Sequence, residues 1–353
     1  MSGLPDRALP LDALRRLGAR AGGDPAAFDA VEMPGGASTR RFFRVALGGG
    51  RSGVAMFVPE AGRPDEIAKV DETGRPWPFL EVRELLAGRG VRVPGVLADL
   101  TREGFLLVED LGDDTLARYL ERRPERREAI YQGAVRDLAA AQRALRELPE
   151  GSIVRERAFD EDLLRWEVDH FREWALEGRG VTLAPGGRET FDRAAAAIAA
   201  QVAALPRGFV HRDYQSRNLM VAERGAAEEL TWIDFQDALL GPRVYDLVAL
   251  LNDSYQSFDD TFVSNRLDEF AAHHDLDAGG RASVGREFDL VTVQRKLKDA
   301  GRFVFIKERK GDESYLRFVD PTITRARRAL ARLAGEPRLD ALGELLARVA
   351  PGA

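Results

Sequence analysis

The sequence predicts an α+β fold in two lobes, a small N-terminal β-sheet lobe and a larger, mainly helical C-terminal lobe. Three observations lead there. A chain of 353 residues is long enough to bury two cores. Its first hundred residues read as short strands and single helices punctuated by Gly and Pro. Near residues 108–112 the pattern changes to long helical periodicity. The predicted organisation is an N-terminal lobe over 1–107, a hinge over 108–112 and a catalytic, substrate-binding lobe over 113–353.

The elements follow in order. Leu11, Leu14 and Leu17 repeat at helical spacing and open the chain with a short amphipathic helix. "STRRFFRVAL" and "GVAMFVP" read as two strands joined by the turn-forming "GGGRSG". A polar stretch over 59–78 leads to the helix "FLEVRELLAGRG", with Leu80, Leu85 and Leu86 able to face a core and Gly88 and Gly90 near its end. "VRVPGVLADLTREGFLLVEDLG" supplies two more strands. In the second lobe, Ala134, Leu138, Ala141, Leu145 and Leu148 form one stripe of a long helix after Pro124, and Ile198, Val202 and Leu205 mark another that Pro206 closes. Two apolar runs, "GFV" before His211 and "LTWI" before Asp234, read as the strands of one small hairpin. The last hundred residues return to helical periodicity.

Composition narrows the function classes. A formal net charge of −6 disfavours nucleic acid as the main partner. The absence of cysteine excludes disulfides, cysteine nucleophiles and thiolate metal sites. The four histidines, His170, His211, His273 and His274, match no zinc spacing, and the adjacent pair reads as a charged helix end. The N-terminus lacks the basic start and apolar core of a signal peptide, and no apolar run reaches the length of a membrane span. A soluble cytoplasmic protein without a membrane partner is expected; its oligomeric state is not legible.

The chemistry is concentrated in "VHRDYQSRNLMV" and "TWIDFQDALLGPRVYDLVALL". A hairpin returning Asp234 beside the loop of Asp213 and Asn218 would let one carboxylate and one amide oxygen share a hard cation, since Mg2+ prefers oxygen ligands. Asp213 would remain free to orient a hydroxyl and accept its proton. That division of labour suits phosphoryl transfer from a metal–nucleotide complex such as MgATP. The competing reading makes Asn218 the cap of a helix starting at Leu219.

His211-Arg212-Asp213 followed by Asn218 resembles the catalytic loop of the protein-kinase-like superfamily. Asp234-Phe235-Gln236 and the distal "GPRVYDLVALL" are similar to its aminoglycoside phosphotransferase branch. There Asp246 would hydrogen-bond back to the loop, with His211 as a brace. "ASTRRFFRV", "HRDYQSRNLM", "IDFQDALLGPRVYDLVALLND" and "VQRKLKDAGRF" together resemble the bacterial cell-wall-recycling kinases that phosphorylate N-acetylmuramate and N-acetylglucosamine at the anomeric hydroxyl. The resemblance implies an ATP- and Mg2+-dependent sugar kinase of peptidoglycan recycling. Two alternatives stay open: another small-alcohol kinase, acting on an aminoglycoside or choline, and a nucleotide-binding pseudokinase.

The resemblance also implies further contacts. Arg217 lies near the expected path of the transferring phosphate, with a salt bridge as the other reading. The strand lysine usual in the superfamily is missing, since "GVAMFVP" carries Met56 and Phe57 instead. Ser38, Thr39, Arg40, Arg41 and Arg44 are the candidates to replace its charge at the nucleotide, alternation sending Arg40 and Arg44 to one face and Arg41 to the other. "LLVEDLGD" resembles the hinge, where backbone groups of Glu109 and Leu111 would meet the base. For the acceptor, Glu167 and Phe171 are candidates on one helix and Arg295 and Lys298 on another, the latter pair for a lactyl carboxylate, with Asp237 as a sugar-hydroxyl or second metal contact. Inward-packed aromatics and an exposed basic face are the competing readings.

Overall fold

The structure, a computed structural model, describes residues 10–34, 40–59, 75–225 and 227–350. The chain divides into two compact units, one drawn from residues 1–83 and 92–113 and the other from 84–91 and 114–353.

The first unit is built on a five-stranded antiparallel sheet in the order β1-β2-β3-β5-β4. Its strands are β1 (Ala30–Glu32), β2 (Arg41–Gly48), β3 (Arg51–Phe57), β4 (Val96–Leu100) and β5 (Phe105–Glu109). Strand β1 has no apolar alternation, and it pairs with β2 along only three residues; the sequence reading missed it. Alternation along β2 sends Phe43, Val45 and Leu47 to one face. There they pack with Leu14 and Leu17 of helix α1 (Leu11–Arg20) and with Leu107 of β5. The opposite face carries Met56, Leu106 and Val108 against Trp77, Phe79 and Leu80, at and before the start of α2 (Pro78–Ala87). The position lacking the expected lysine is therefore core: Met56 is buried and Phe57 stacks on Phe105 with centroids 4.4 Å apart. Gly48, Gly49 and Gly50 turn the chain between β2 and β3 with φ of 81°, 61° and 73°, a run that side chains with a Cβ tolerate poorly.

The second unit begins with α3 (Leu116–Arg122) and α4 (Arg127–Ala144), whose predicted stripe is buried at Ala134, Leu138 and Ala141. It continues through α5 (Glu161–His170), which runs into a π turn at Phe171–Leu176, and α6 (Pro185–Ala203). The single hairpin expected from "GFV" and "LTWI" is replaced by two ribbons. Strand β6 (Arg207–Val210) pairs with β9 (Leu239–Pro242), while β7 (Leu219–Arg224) pairs with β8 (Ala227–Trp232). Both apolar runs are strands, but they pair with β9 and β7 rather than with each other. Helices α7 (Tyr245–Leu251), α8 (Asp260–His273), α9 (Ala278–Lys310), α10 (Val319–Arg332) and α11 (Pro337–Val349) complete the unit. His274 caps α8 but is not the charged end the sequence suggested. Burial, reinforced by Arg243 and Arg143, pushes its pKa down to about 4, and its Nε2 lies 3.1 Å from Gln142 Oε1.

The 33-residue α9 is the spine on which α5, the π turn, α6, α7, α8 and α10 pack. The approach is tightest at Gly301, where an added Cβ would collide with the His170 carbonyl. Gly285, on the same helix, has open space around its missing Cβ. Two glycines of one helix should therefore answer Ala with opposite signs. Gly301→Ala is expected to cost about 1–3 kcal/mol in urea unfolding. Gly285→Ala should gain up to about 1 kcal/mol from helix propensity.

Candidate active site

The loop over 211–218 leaves β6 and enters β7, and it is held by groups from three helices and by Asp253, which follows α7. Arg212 has φ of 78°, a left-handed conformation that costs a side-chain-bearing residue about 1–2 kcal/mol. It persists because both sides of the residue are held. Asp246 of α7 accepts the His211 N–H at 2.6 Å and the Arg212 N–H at 3.0 Å. Arg295 of α9 donates to the Arg212 carbonyl at 2.7 Å and to Asp213 Oδ1 at 3.2 Å. Further along, buried Asp253 accepts the Ser216 N–H at 2.9 Å and the Ser216 hydroxyl. The Tyr214 hydroxyl donates to the Ala134 carbonyl of α4 at 2.9 Å.

Asn218 closes the loop on itself, donating through Nδ2 to the Asp213 carbonyl at 2.9 Å. That bond uses the amide nitrogen and leaves Oδ1 as the side chain's acceptor. The ribbon does the rest: Leu219 pairs with Trp232 and the Ile233 N–H donates to the Asn218 carbonyl at 3.0 Å. Asp234, the next residue, is exposed and itself left-handed at φ 64°. Leu219 opens a strand, so the reading of Asn218 as a helix cap falls. Gln236 donates to Asp234 Oδ1 at 2.9 Å and to Asp237 Oδ2 at 3.0 Å, fixing the spacing of the two acids. Among the described residues no cluster of three His, Asp or Glu could hold a metal on its own. An amide oxygen and one carboxylate form the hard, sparse donor set that suits Mg2+, which takes its remaining ligands from phosphates and water.

The electrostatics favour an ionised Asp213. Burial works against its charge, but Arg295, then Lys298 and Arg212, more than offset it and hold the carboxyl below its ordinary range. Asp246 is the reverse case, pushed up to about 7 by complete burial against the opposing pull of its two N–H bonds and Arg295. His211, fully buried, is pushed down to about 4 by burial. Its Nδ1 accepts the Asp213 N–H at 3.3 Å, so it braces the loop as a neutral ring.

Several expected contacts fall elsewhere. Arg217 makes neither a salt bridge nor a loop contact among the described residues; it is exposed, its guanidinium 3.4 Å from the Tyr255 ring centroid. Glu167 is buried, receiving Gln294 Nε2 at 2.8 Å and Arg212 at 3.5 Å, so it ties α5 to α9 and the loop rather than facing a sugar. Phe171 is fully buried, stacked towards Phe191, whereas Trp166 of α5 is exposed. Arg295 is neither an exposed basic residue nor free for a carboxylate, being 2% exposed and bound to the loop. Lys298 Nζ lies 3.2 Å from Asp299. Asp253 was not singled out in advance; it follows the apolar run "LVALLN", and no periodic signal marks it.

In the first unit, Arg41 and Arg44 of β2 make their contacts on opposite faces. Arg41 stacks over Phe43 and forms a two-pronged pair with Glu32, while Arg44 points to the other face and reaches Asp110 at 2.8 Å and Asp113 at 2.9 Å. Both guanidinium groups are engaged by acids, which corrects the expectation of free charge for a nucleotide. Arg40 has partners of its own. Ser38 and Thr39 lie outside the described residues. The Glu109 N–H donates to the Gly95 carbonyl at 2.7 Å and its side chain pairs with Arg92, so that donor is not free for a base. Leu111 follows β5 in a segment without regular structure.

An antiparallel sheet unit, a helical unit and a loop presenting Asp213 and Asn218 beside Asp234 define a phosphotransferase of the protein-kinase-like class. The chain belongs to the phosphotransferase enzyme family, whose sequence profile matches residues 29–282. It is 35% identical over 324 residues to an N-acetylmuramate/N-acetylglucosamine kinase of Pseudomonas aeruginosa, covering 90% of this chain and 87% of that one. It is 32% identical to the protein of the same name from Neisseria meningitidis, covering 82% and 81%. Among solved structures, an ADP-bound aminoglycoside phosphotransferase, APH(2'')-Ib, shares the fold with a TM-score of 0.59 at 15% identity, covering 90% of this chain and 98% of that one. A choline kinase from Cryptosporidium parvum does so with a TM-score of 0.63 at 9% identity, covering 95% and 99%. Among the described residues no helix is long and apolar enough to cross a membrane.

The neutral, buried His211 makes a pH prediction. Its folded pKa lies below the unfolded value near 6.5, so the unfolded chain binds the proton more readily. The stability this neutral ring contributes is fully present above pH 6.5 and is lost as pH falls towards 4, on the order of 3 kcal/mol. Urea unfolding of His211→Asn should show a flatter acid slope over that window than the parent chain. An unchanged slope would show that another group carries the acid sensitivity.

Proposed function

We propose that this chain transfers the γ-phosphoryl group of ATP to the anomeric hydroxyl of N-acetylmuramate or N-acetylglucosamine, as a cytoplasmic enzyme recycling peptidoglycan sugars. The observation that carries the chemistry is the setting of Asp213, held by Arg295 and kept ionised one short loop from Asn218 and Asp234. The acceptor class is supported by the names of relatives that match along more than four-fifths of their length.

In this reading the Asp213 carboxylate accepts a hydrogen bond from the sugar's C1 hydroxyl and aims its oxygen at the γ-phosphorus. The new O–P bond forms as the bond to the β–γ bridging oxygen breaks, ADP leaves and the proton passes to Asp213. A carboxyl held below its usual range is a weak base, which suits a loose transition state. There the proton moves late, and positioning contributes more than deprotonation. Asn218 and Asp234 would hold Mg2+, which when bound neutralises charge on the phosphates. Gln236 keeps Asp234 and Asp237 at fixed spacing, leaving Asp237 to meet a sugar hydroxyl or a second ion. Arg40 and the backbone of Leu111 are the nucleotide contacts retained in the proposal.

Asp213→Asn should lower kcat by about 100- to 10,000-fold while ATP binding, measured calorimetrically, persists. A variant turning over normally would remove Asp213 from the mechanism. With MgATP and a panel of free aminosugars, choline and an aminoglycoside, ADP release is expected with the two N-acetylated sugars. A sugar with its anomeric oxygen methylated should be inert; its phosphorylation would sink the C1 assignment.

A further inference from the structure

The charged face that α9 turns towards the catalytic loop has its cations unequally occupied. Positions 295, 298, 299 and 302 recur at three, four and seven residues and so share one side of the helix. Arg295 is spent on the Arg212 carbonyl and Asp213. Lys298 is paired with Asp299, which also takes Lys296 Nζ at 2.8 Å. Arg302, one turn beyond Lys298, has no hydrogen bond and no carboxylate partner among the described residues. It is exposed, and its guanidinium lies 4.9 Å from the centre of the Phe305 ring.

Two features make this more than a solvated surface charge. Arg302 lies two turns along the same face of α9 as Arg295, whose guanidinium binds the Asp213 carboxylate, so the free guanidinium is on the side of the helix that meets the acceptor's base. Stacking on Phe305 also restrains the planar group and leaves its N–H fork open, the geometry that recognises a carboxylate through two parallel hydrogen bonds. Its place on α9 is fixed by the close crossing at the neighbouring Gly301.

We propose that Arg302 is the acceptor-specificity residue, pairing with the lactyl carboxylate of N-acetylmuramate while Asp213 receives the anomeric proton. This rests on the sugar-kinase reading above and adds to it a reason for preferring the acidic sugar. N-acetylglucosamine shares the reacting hydroxyl and the acetamido group but lacks the lactyl acid, so it serves as the internal reference.

The experiment compares kcat/KM for the two sugars in the full-length parent chain, Arg302→Met and Arg302→Lys. A charge-assisted hydrogen bond corresponds to roughly a 10- to 100-fold preference. In Arg302→Met the ratio of kcat/KM for N-acetylmuramate over N-acetylglucosamine should fall about 10-fold or more, chiefly through KM for the acidic sugar. Arg302→Lys should recover part of it. The parent should likewise discriminate against N-acetylmuramate whose carboxyl is amidated. A ratio that stays within about two-fold of the parent, or an equal loss for both sugars, overturns the assignment while leaving the kinase reading intact. A parent chain that phosphorylates neither sugar overturns the kinase reading and this assignment with it.

Discussion

The site depends on one strained peptide. At Arg212 the chain adopts a conformation that its side chain resists, and this turns the Arg212 N–H towards Asp246 and its carbonyl towards Arg295. Left-handed residues of this kind survive where the surroundings over-determine them. Here the surroundings are two buried charged groups arriving from different helices. Releasing either would leave a polar group unpaired in the interior, a cost of about 1–3 kcal/mol that is comparable to the strain itself, and both anchors act together. The strain is therefore retained, and it presents Asp213 at a defined angle.

That arrangement explains why so many charges are buried around so short a loop. A buried ion pair is weak evidence for stability, because desolvation consumes most of its attraction. Its value here lies in geometry and protonation state. Asp213 and Asp246 lie within one network yet are driven in opposite directions, one kept ionised by flanking cations and the other pushed up to about 7 by burial. Two carboxylates of one network thus differ in state: Asp213 is held ionised, and Asp246 anchors the backbone. Asp253 and Tyr214 extend the same principle along the loop, each satisfying its own buried polar group by holding a segment of backbone.

The residues that the sequence offered for an acceptor show how far side-chain type alone can mislead. Glu167, Phe171 and Arg295 have the chemistry a sugar pocket needs, yet each is consumed inside the protein. Arg302 has the same chemistry as Arg295 two turns earlier, but only Arg302 keeps its donors free of protein acids. On the sheet unit, Arg41 and Arg44 are likewise taken up by Glu32, Asp110 and Asp113. Sequence spacing reports which residues share a face; it does not report which opposite charge another element brings to meet them.

The sequence by itself determined the order and type of the main elements, because alternation and helical periodicity are local properties of the chain. It also singled out Asp213, Asn218 and Asp234 as candidates, because their spacing within two short segments has few other uses. The tertiary structure decided the strand partners of β6 and β8, the burial of Arg295 and the anchoring by Asp253. Apart from the local β7–β8 hairpin, these depend on contacts between residues tens of positions apart. Such contacts are selected by packing and charge compensation, and neither leaves a periodic trace in the chain.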